Sequence, residues 1–247
     1  MVLFAYVDSD MDGVEDKDDL CPNTLITDLV DLKGCTIKSL ISPHHFTLLA
    51  GTSYAEDDNV SYLFSTLELD YYYKKISMKL SSSYYNVDDE ATLSSNSDGL
   101  NDTTLNFFYR FDPLENLSLS VGTAVYIPTY DSSSNKTDYA VSIDGRYHID
   151  KLSLSTGVGY KIVGDTNASN ILFYHLSTGY SFNNNLYSSL SYSVSESIYD
   201  EVDNFETLSL YNYYSINKNW FGTLSLTKGI SSESLDNTIG VKVGYYW

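Results

Sequence analysis

The stretch "KLSLSTGVGYKIV", residues 151–163, alternates between two kinds of side chain. Its even-numbered positions carry mostly larger, apolar residues: Leu152, Leu154, Thr156, Val158, Tyr160 and Ile162. Its odd-numbered positions carry small or polar ones: Ser153, Ser155, Gly157, Gly159 and Lys161. Because successive side chains of a β-strand point to opposite faces of the sheet, the stretch is predicted to be a strand with one apolar and one polar face.

The same alternation recurs along most of the chain. Twelve such segments lie near residues 45–55, 60–72, 75–87, 103–111, 117–127, 138–149, 151–163, 170–182, 186–198, 204–216, 219–230 and 236–247. The composition agrees with strands, since the chain has 24 Tyr and only 4 Pro and aromatic residues favour strands. The sequence therefore predicts an all-β structure.

The connections between these segments alternate between short and long. The short ones are "YYKK", "FDPLEN", "HIDK", "FNNN" and "INKN", and the long, acidic ones include "DDEATLSSNSDGLND", "PTYDSSSNKTD" and "YDEVDN". Strands of about ten residues, an even count, short turns on one rim and long loops on the other are typical of outer-membrane barrels. We therefore expect residues 45–247 to form a 12-stranded antiparallel transmembrane β-barrel.

A secreted soluble β-protein, such as a sandwich or a β-helical adhesin, is the alternative, because its strands show the same alternation. Aromatic residues at the strand ends favour the barrel, where they form two interfacial girdles. They are Tyr71, Tyr72, Phe107, Tyr109, Phe111, Tyr147, Tyr180, Phe182, Tyr214 and Trp220. No run of about 18 apolar residues exists, which excludes a transmembrane helix.

The chain ends on "GVKVGYYW", an alternating strand with Tyr245 and Trp247 on its apolar face. This ending resembles the C-terminal signal of bacterial outer-membrane barrels, which implies recognition by the barrel-assembly machinery. An even number of strands brings both ends of the barrel to the short-turn rim, which in such barrels faces the periplasm. We therefore expect a bacterial outer-membrane protein with both termini periplasmic, in contact with lipid and lipopolysaccharide.

The acidic stretch "DSDMDGVEDKDDLCPNT", residues 8–24, has the spacing of a calcium loop. Counted from the first Asp, oxygen ligands fall at positions 1, 3, 5, 7, 9 and 12, with a Gly at position 6 for the bend. The predicted ligands of Ca²⁺ are Asp8, Asp10, Asp12, the Val14 carbonyl, Asp16 and Asp19. The flanking residues cannot form the two helices of an EF-hand, because Pro22 breaks the second. A disordered acidic linker is the alternative.

Two cysteines, Cys21 and Cys35, close a short loop after these acids. A disulfide between them suits an oxidising compartment, and two free thiols are the alternative. Residues 8–35 resemble a thrombospondin type 3 repeat, in which the acidic loop is followed by C-P-x-T and V-D-x-x-G-C. The resemblance implies that the segment 1–44 is a stiff, calcium-dependent spacer beside the barrel. Docking to a partner and plugging of the barrel remain open.

The formal charge of −19 excludes nucleic acid as a partner, because a polyanion is repelled. The polar strand faces are predicted to line the lumen, and on one wall they are small hydroxyls. The other wall carries the charged candidates Glu68, Asp70, Lys79, Arg110, Asp144, Arg146 and His175. Opposed charges in a narrow lumen favour a porin for small polar or cationic solutes. A paired network that plugs the barrel fits the same residues.

A structural or adhesive scaffold is the alternative function of the barrel, either as a homo-oligomer or with an envelope protein partner. An enzyme is not expected. Outer-membrane phospholipases carry a His-x-Ser motif, and His175 and Ser177 have this spacing. The alternation, however, places both in the lumen rather than towards lipid, and the rest of that motif is missing, so no catalytic residue is assigned.

Overall fold

A computed structural model describes residues 14, 16, 19–21, 33, 44–57, 60–89, 97–130, 135–165, 168–199 and 201–247. The chain divides into two compact units, residues 1–43 and residues 44–247. Within the first unit, the Leu20 N–H donates to the Lys33 carbonyl at 2.9 Å. In the described residues of the second unit, all regular secondary structure is β-strand.

Thirteen strands form one antiparallel sheet that closes on itself. They are β1 (His44–Asp57), β2 (Val60–Tyr73), β3 (Ile76–Asp89), β4 (Ser97–Leu100), β5 (Thr103–Leu114), β6 (Leu117–Ile127), β7 (Asp138–Ile149), β8 (Leu152–Ile162), β9 (Ile171–Ser181), β10 (Leu186–Ser195), β11 (Phe205–Ser215), β12 (Trp220–Gly229) and β13 (Asn237–Tyr246). The short strand β4 and the strand β5 pair one after the other along the same edge of β3. The barrel therefore has twelve positions around its wall, and the predicted 12-stranded antiparallel fold is confirmed.

Two connections differ from the sequence prediction. The strand β4 lies inside the region expected to be a long loop, where the Asn101 side-chain amide donates to Ser83 Oγ at 2.9 Å and Tyr84 donates to Asp98. These polar contacts extend the strand pairing of β3 to β4, beyond the apolar part of β3. The loop between β1 and β2 is also short, with only residues 58–59 between the two strands. Five tight turns at residues 74–75, 115–116, 150–151, 182–185 and 216–219 form what we call the short-turn rim.

The barrel has its apolar side chains on the outside. Large exposed residues cover the outer wall at mid-strand: Leu67, Leu80, Val121, Ile143, Val158, Leu176, Leu190, Leu224 and Val241. Among the described residues no large side chain is fully buried, and the buried apolar residues are few. A soluble protein of this size needs an apolar core, whereas a barrel in lipid needs an apolar exterior. None of the described residues forms a helix long and apolar enough to cross a membrane.

Exposed aromatic residues form a band at each end of the outer wall. Near the short-turn rim they include Tyr109, Tyr147, Tyr180, Phe182, Tyr214, Trp220 and Trp247, and near the opposite rim Tyr54, Tyr84, Tyr139, Tyr160 and Tyr174. One residue predicted for this band, Tyr72, is an exception. It shares the strand face of Glu68 and Asp70, and its hydroxyl is hydrogen-bonded to the Asp70 carboxylate, so it belongs to the lumen.

The barrel closes where the last strand meets the first. The Phe46 N–H donates to the Trp247 carbonyl, and the Trp247 N–H donates to the Phe46 carbonyl, each at 3.1 Å. The two rings stack with centroids 5.7 Å apart. Both ends of the barrel therefore lie at the short-turn rim, and Trp247 completes the wall.

Candidate functional site in the barrel lumen

The inward faces of β8 to β12 consist mainly of small hydroxyl residues. Cross-strand pairs put these residues side by side, as at Ser155, Ser177 and Ser191. The Ser155 and Ser177 hydroxyls lie 2.5 Å apart, and those of Ser209 and Thr227 lie 2.8 Å apart. Small polar side chains on this wall leave room for water in the lumen.

An acid–lysine cluster lies on the wall formed by β13, β1, β2 and β3. The Lys79 ammonium donates to Glu68 Oε2 at 3.0 Å and lies 3.8 Å from Asp70 Oδ1. Lys242 donates to the other Glu68 oxygen. Glu68 and Asp70 are only 7% and 5% exposed. Each buried carboxylate therefore faces at least one lysine, which offsets the cost of removing its charge from water.

Of this cluster, the sequence predicted Glu68, Asp70 and Lys79 as lumenal, and the structure brings all three together. It missed Lys242 as a member. The alternation of "GVKVGYYW" does place Lys242 on the polar face of the last strand. Its partner Glu68, however, lies 174 residues earlier in the chain, so the pairing follows only from barrel closure.

An arginine–histidine cluster lines a second wall, formed by β5 to β9. Its members are Arg110, Asp112, Asp144, Arg146, His148 and His175. Arg110 Nε lies 3.4 Å from Asp112 Oδ1, and His175 Nε2 lies 3.9 Å from Asp144 Oδ1. A cavity of about 450 Å³ is lined by Arg110, Arg146, His148, Asp144, His175 and neighbouring serines. The predicted lumenal residues of these strands therefore share one solvent-filled space.

Gly157 makes room for the pair of Asp144 and His175. It lies between them on the cross-strand ladder of β7, β8 and β9. A Cβ at this position would collide with Asp144 Oδ1 and the His175 ring. Only glycine allows these two side chains to approach each other across β8.

A third ion pair lies towards the long-loop rim, the rim opposite the short turns. Lys161 Nζ is 2.8 Å from Asp138 Oδ2 and 4.2 Å from the centroid of the Tyr126 ring. Asp138 also accepts a hydrogen bond from the Gly164 N–H at 2.7 Å. This buried carboxylate thereby fixes the start of the loop that follows β8.

Aromatic side chains also enter the lumen near the short-turn rim. The Tyr213 and Tyr246 hydroxyls lie 3.2 Å apart, and the rings of Phe221 and Tyr246 stack at 4.6 Å. No motif in the sequence points to these residues. The available signal is their position on the polar face of an alternating strand, which directs each side chain inward.

The His175 and Ser177 side chains do not form a nucleophile–base pair. His175 faces Asp144, while Ser177 is hydrogen-bonded to Ser155. Both residues face the lumen, as the alternation predicted. Nothing in this arrangement positions a serine for attack on a lipid ester.

The predicted calcium loop lies largely outside the described residues, which include Val14, Asp16 and Asp19 but not Asp8, Asp10 or Asp12. Asp19 Oδ1 accepts a hydrogen bond from the Cys21 N–H at 2.8 Å. Cys35 also lies outside the described residues. The calcium site and the disulfide therefore stay predictions.

A closed twelve-strand barrel with an apolar exterior, aromatic bands and a polar lumen defines an outer-membrane β-barrel of the porin type. The family described as "Putative MetA-pathway of phenol degradation" matches residues 36–245, and the chain belongs to this family. No curated protein matches the sequence.

Solved structures share the fold at low sequence identity. The NanC porin is 11% identical with a TM-score of 0.62, covering 80% of this chain and 98% of its own. The KdgM porin, solved in complex with disordered oligogalacturonate, is 13% identical with a TM-score of 0.55, covering 81% and 98%. The translocator domain of the autotransporter NalP from Neisseria meningitidis is 12% identical with a TM-score of 0.53, covering 85% and 90%. At these identities the likeness concerns the fold alone.

Proposed function

We propose that this protein is a narrow outer-membrane channel for small polar solutes. One observation carries the proposal: the lumen is lined by hydroxyls and charged groups around a cavity of about 450 Å³. A twelve-strand barrel is wider than an eight-strand barrel filled by side chains and narrower than a sixteen-strand pore. Diffusion of small hydrophilic molecules suits such a bore.

The distribution of lumenal charges supports an open channel rather than a plugged one. The acid–lysine cluster occupies β2, β3 and β13, which lie together on one side of the barrel. The facing strands β8 to β12 carry mostly small side chains with hydroxyl contacts among themselves. Inward aromatic side chains of these strands, Tyr187, Tyr211, Tyr213 and Phe221, narrow the short-turn half of the lumen, and serines and threonines line the rest of this wall.

The long-loop rim supports a preference for cationic or neutral solutes at that mouth. Its described acidic residues include Glu56, Asp57, Asp88, Asp98, Asp102, Asp165, Glu196, Glu201, Asp203, Glu233 and Asp236. The described lysines of the same rim are Lys136, Lys161 and Lys228. This excess of negative charge raises the local concentration of cations and lowers that of anions.

The proposed orientation places the short-turn rim in the periplasm. Both ends of the barrel lie at this rim, so the calcium segment is proposed to be periplasmic. The long acidic loops then face outward, where divalent ions link carboxylates to lipopolysaccharide. The alternating last strand with Tyr245 and Trp247 is the proposed recognition element for the barrel-assembly machinery.

Single-channel recording tests the channel proposal. Purified protein reconstituted in planar bilayers is expected to give discrete current steps whose size rises with KCl concentration. A control sample unfolded by heat should give none. The absence of steps from folded protein, over a range of voltages and salts, would contradict the channel. It would favour the alternative, a structural or adhesive barrel that acts in a homo-oligomer or in a complex with an envelope protein.

We further propose that residues 8–19 bind one Ca²⁺ ion through Asp8, Asp10, Asp12, the Val14 carbonyl, Asp16 and Asp19. Hard cations such as Ca²⁺ take six to eight oxygen ligands, which this spacing supplies. A disulfide between Cys21 and Cys35 would close a loop of about 15 residues, worth roughly 3 kcal/mol in the chain-entropy model. The resemblance to a thrombospondin type 3 repeat supports both assignments.

Calorimetric titration of the full chain with Ca²⁺ tests this site. The double variant Asp10→Ala, Asp12→Ala should lose the tightest binding event, because two carboxylate ligands are removed. The matched control is Glu201→Ala, Asp203→Ala, which removes the same charge from a barrel loop. Unchanged binding by the first variant would refute the calcium site, and equal losses in both would point to unspecific binding by acidic groups.

A further inference from the structure

The lumenal cations fall into two groups according to their partners. The three lysines are paired with carboxylates: Lys79 with Glu68 and Asp70, Lys242 with Glu68, and Lys161 with Asp138. Arg146 differs from them. Within the described part of the chain it makes no ion pair, and its side chain is exposed to the lumen. An unpaired guanidinium in a cavity has its hydrogen-bond donors free for a solute.

The surroundings of Arg146 make a site rather than a lone charge. The cavity of about 450 Å³ that it lines also holds Arg110, His148 and the hydroxyls of Ser118 and Ser155. Ser118 and Ser155 are its direct cross-strand neighbours on β6 and β8. Positive charge and hydroxyl oxygens therefore border one space, which the Asp144 carboxylate also lines. Its volume is in the range of small-molecule pockets.

Neither nearby carboxylate forms an ion pair with Arg146. Asp144 precedes Arg146 by two residues on the same strand face, but it is 3.9 Å from His175 and accepts from Ser142 Oγ at 3.3 Å. Asp112 lies 3.4 Å from Arg110 Nε and accepts from Ser118 Oγ at 2.7 Å. Asp112 is thus paired with Arg110, and Asp144, which also lines the cavity, approaches His175 and Ser142 instead of Arg146. Arg146 is therefore the cation of this cluster that has no carboxylate partner among the described residues.

We propose that Arg146, assisted by Arg110 and His148, forms a subsite in the short-turn half of the lumen that binds an oxyanion group of the solute, a carboxylate or a phosphate. This proposal rests on the channel function proposed above and names a chemical group of its solute. Guanidinium groups bind both oxyanions through two parallel hydrogen bonds. The serine hydroxyls then suit a solute that carries hydroxyl groups beside its charge.

The subsite also fits the charge asymmetry of the barrel. The long-loop mouth is acidic, whereas the short turns carry four lysines, Lys74, Lys75, Lys151 and Lys218, and two acids, Glu115 and Asp150. The acidic mouth repels an anionic group, so such a group gains favourable contacts only at the inner subsite.

Block of single-channel currents tests the subsite. Sodium gluconate and inorganic phosphate are added separately to the solution on one side of the bilayer, with sorbitol as the uncharged counterpart of gluconate. Gluconate or phosphate should reduce the K⁺ and Cl⁻ current of the wild-type channel at concentrations at which sorbitol does not. Block by only one anion identifies which oxyanion the subsite prefers.

Arg146→Gln should weaken this block by about tenfold, because it removes a charge-assisted bidentate contact. Arg146→Lys, which keeps the charge but not the planar fork, should give an intermediate value. The matched control is Lys228→Gln, which removes one positive charge from the outer face of the barrel, where its side chain is 58% exposed. Gluconate and phosphate should block the Lys228→Gln channel as strongly as the wild-type channel.

Three outcomes would overturn the subsite. They are an open wild-type channel that neither anion blocks, a block by sorbitol as strong as that by the anions, and a block of Arg146→Gln as strong as that of the wild type. Folding of each variant is checked by the heat-dependent shift of barrel mobility on a denaturing gel. If the wild type gives no current at all, the channel proposal fails independently. Calorimetric titration of the same protein with gluconate then decides the subsite, with binding in its favour and no binding against it.

Discussion

Gly157 shows how a single residue shapes the lumen. It has no side chain between Asp144 and His175, and a Cβ would collide with both. Gly222 lies on the outward face of β12. A Cβ added there would have no neighbouring atom closer than 3.8 Å. The two glycines therefore allow the same substitution to be compared on the inner and outer walls.

We predict that Gly157→Val lowers the single-channel conductance by about twofold, because the new side chain fills the lumen and displaces Asp144. Gly222→Val should leave the conductance unchanged, since its side chain enters the lipid-facing surface. The measurement is the current step at fixed voltage and salt for both variants. Equal effects would show that Gly157 does not border the conducting path.

The residue scale also shows what sequence can predict. Parity along each strand assigned Glu68, Asp70, Lys79, Arg110, Asp144, Arg146 and His175 to the inward face, where the structure places them. The alternation along a strand shows which face of the sheet a residue lies on, but it does not show which residue it contacts. The contact of Lys242 with Glu68 depends on which strands meet when the barrel closes. The hydrogen bond of Tyr72 with the neighbouring Asp70 depends on how the two side chains are oriented on their shared face. The alternation of side chains contains neither kind of information.

The tight turns are the elements that set the register of the barrel. The turn between β2 and β3 has only two residues, and Lys74 adopts a positive φ of 55° there. Such a left-handed conformation is costly for a residue with a Cβ and natural for glycine. Lys74 Nζ also lies 5.2 Å from the centroid of the Tyr73 ring, a weak exposed contact.

We predict that Lys74→Gly raises the free energy of unfolding by about 0.5 kcal/mol, the relief of strain exceeding the lost ring contact. Lys74→Ala loses the contact but keeps the strain, so it should be destabilising. Urea unfolding of the reconstituted barrel measures both. Lys75→Gly, next along the chain and without a positive φ, should not stabilise, and a gain there would contradict the explanation.

At the element scale the sequence predicted most strand bounds to within a few residues, because alternation ends where turn residues begin. It missed β4, which lacks apolar alternation. This strand forms because Asn101 and Asp98 meet polar groups on β3. Pairing through polar side chains leaves no periodic signal in a single sequence.

The barrel unit, residues 44–247, has an apolar outer wall, a polar bore and two chemically different mouths. Its outer wall needs lipid, and its lumen holds charge clusters on two separate walls. The sequence predicted the closed barrel from the even count of strands and the asymmetry of their connections. It could not predict whether the lumenal charges pair across the bore or along one wall, because that depends on the positions of strands around the barrel.

The central claim is that water and small solutes pass through this bore. Ser191 on β10 faces the lumen, and its neighbour Leu190 faces outward with 44% of its surface exposed. Single-channel current is recorded for Ser191→Cys, Leu190→Cys and the wild type before and after a bulky, water-soluble, positively charged thiol reagent. We expect a lasting drop in current for Ser191→Cys only. An unchanged current through Ser191→Cys, or an equal drop in all three proteins, would contradict passage through this bore.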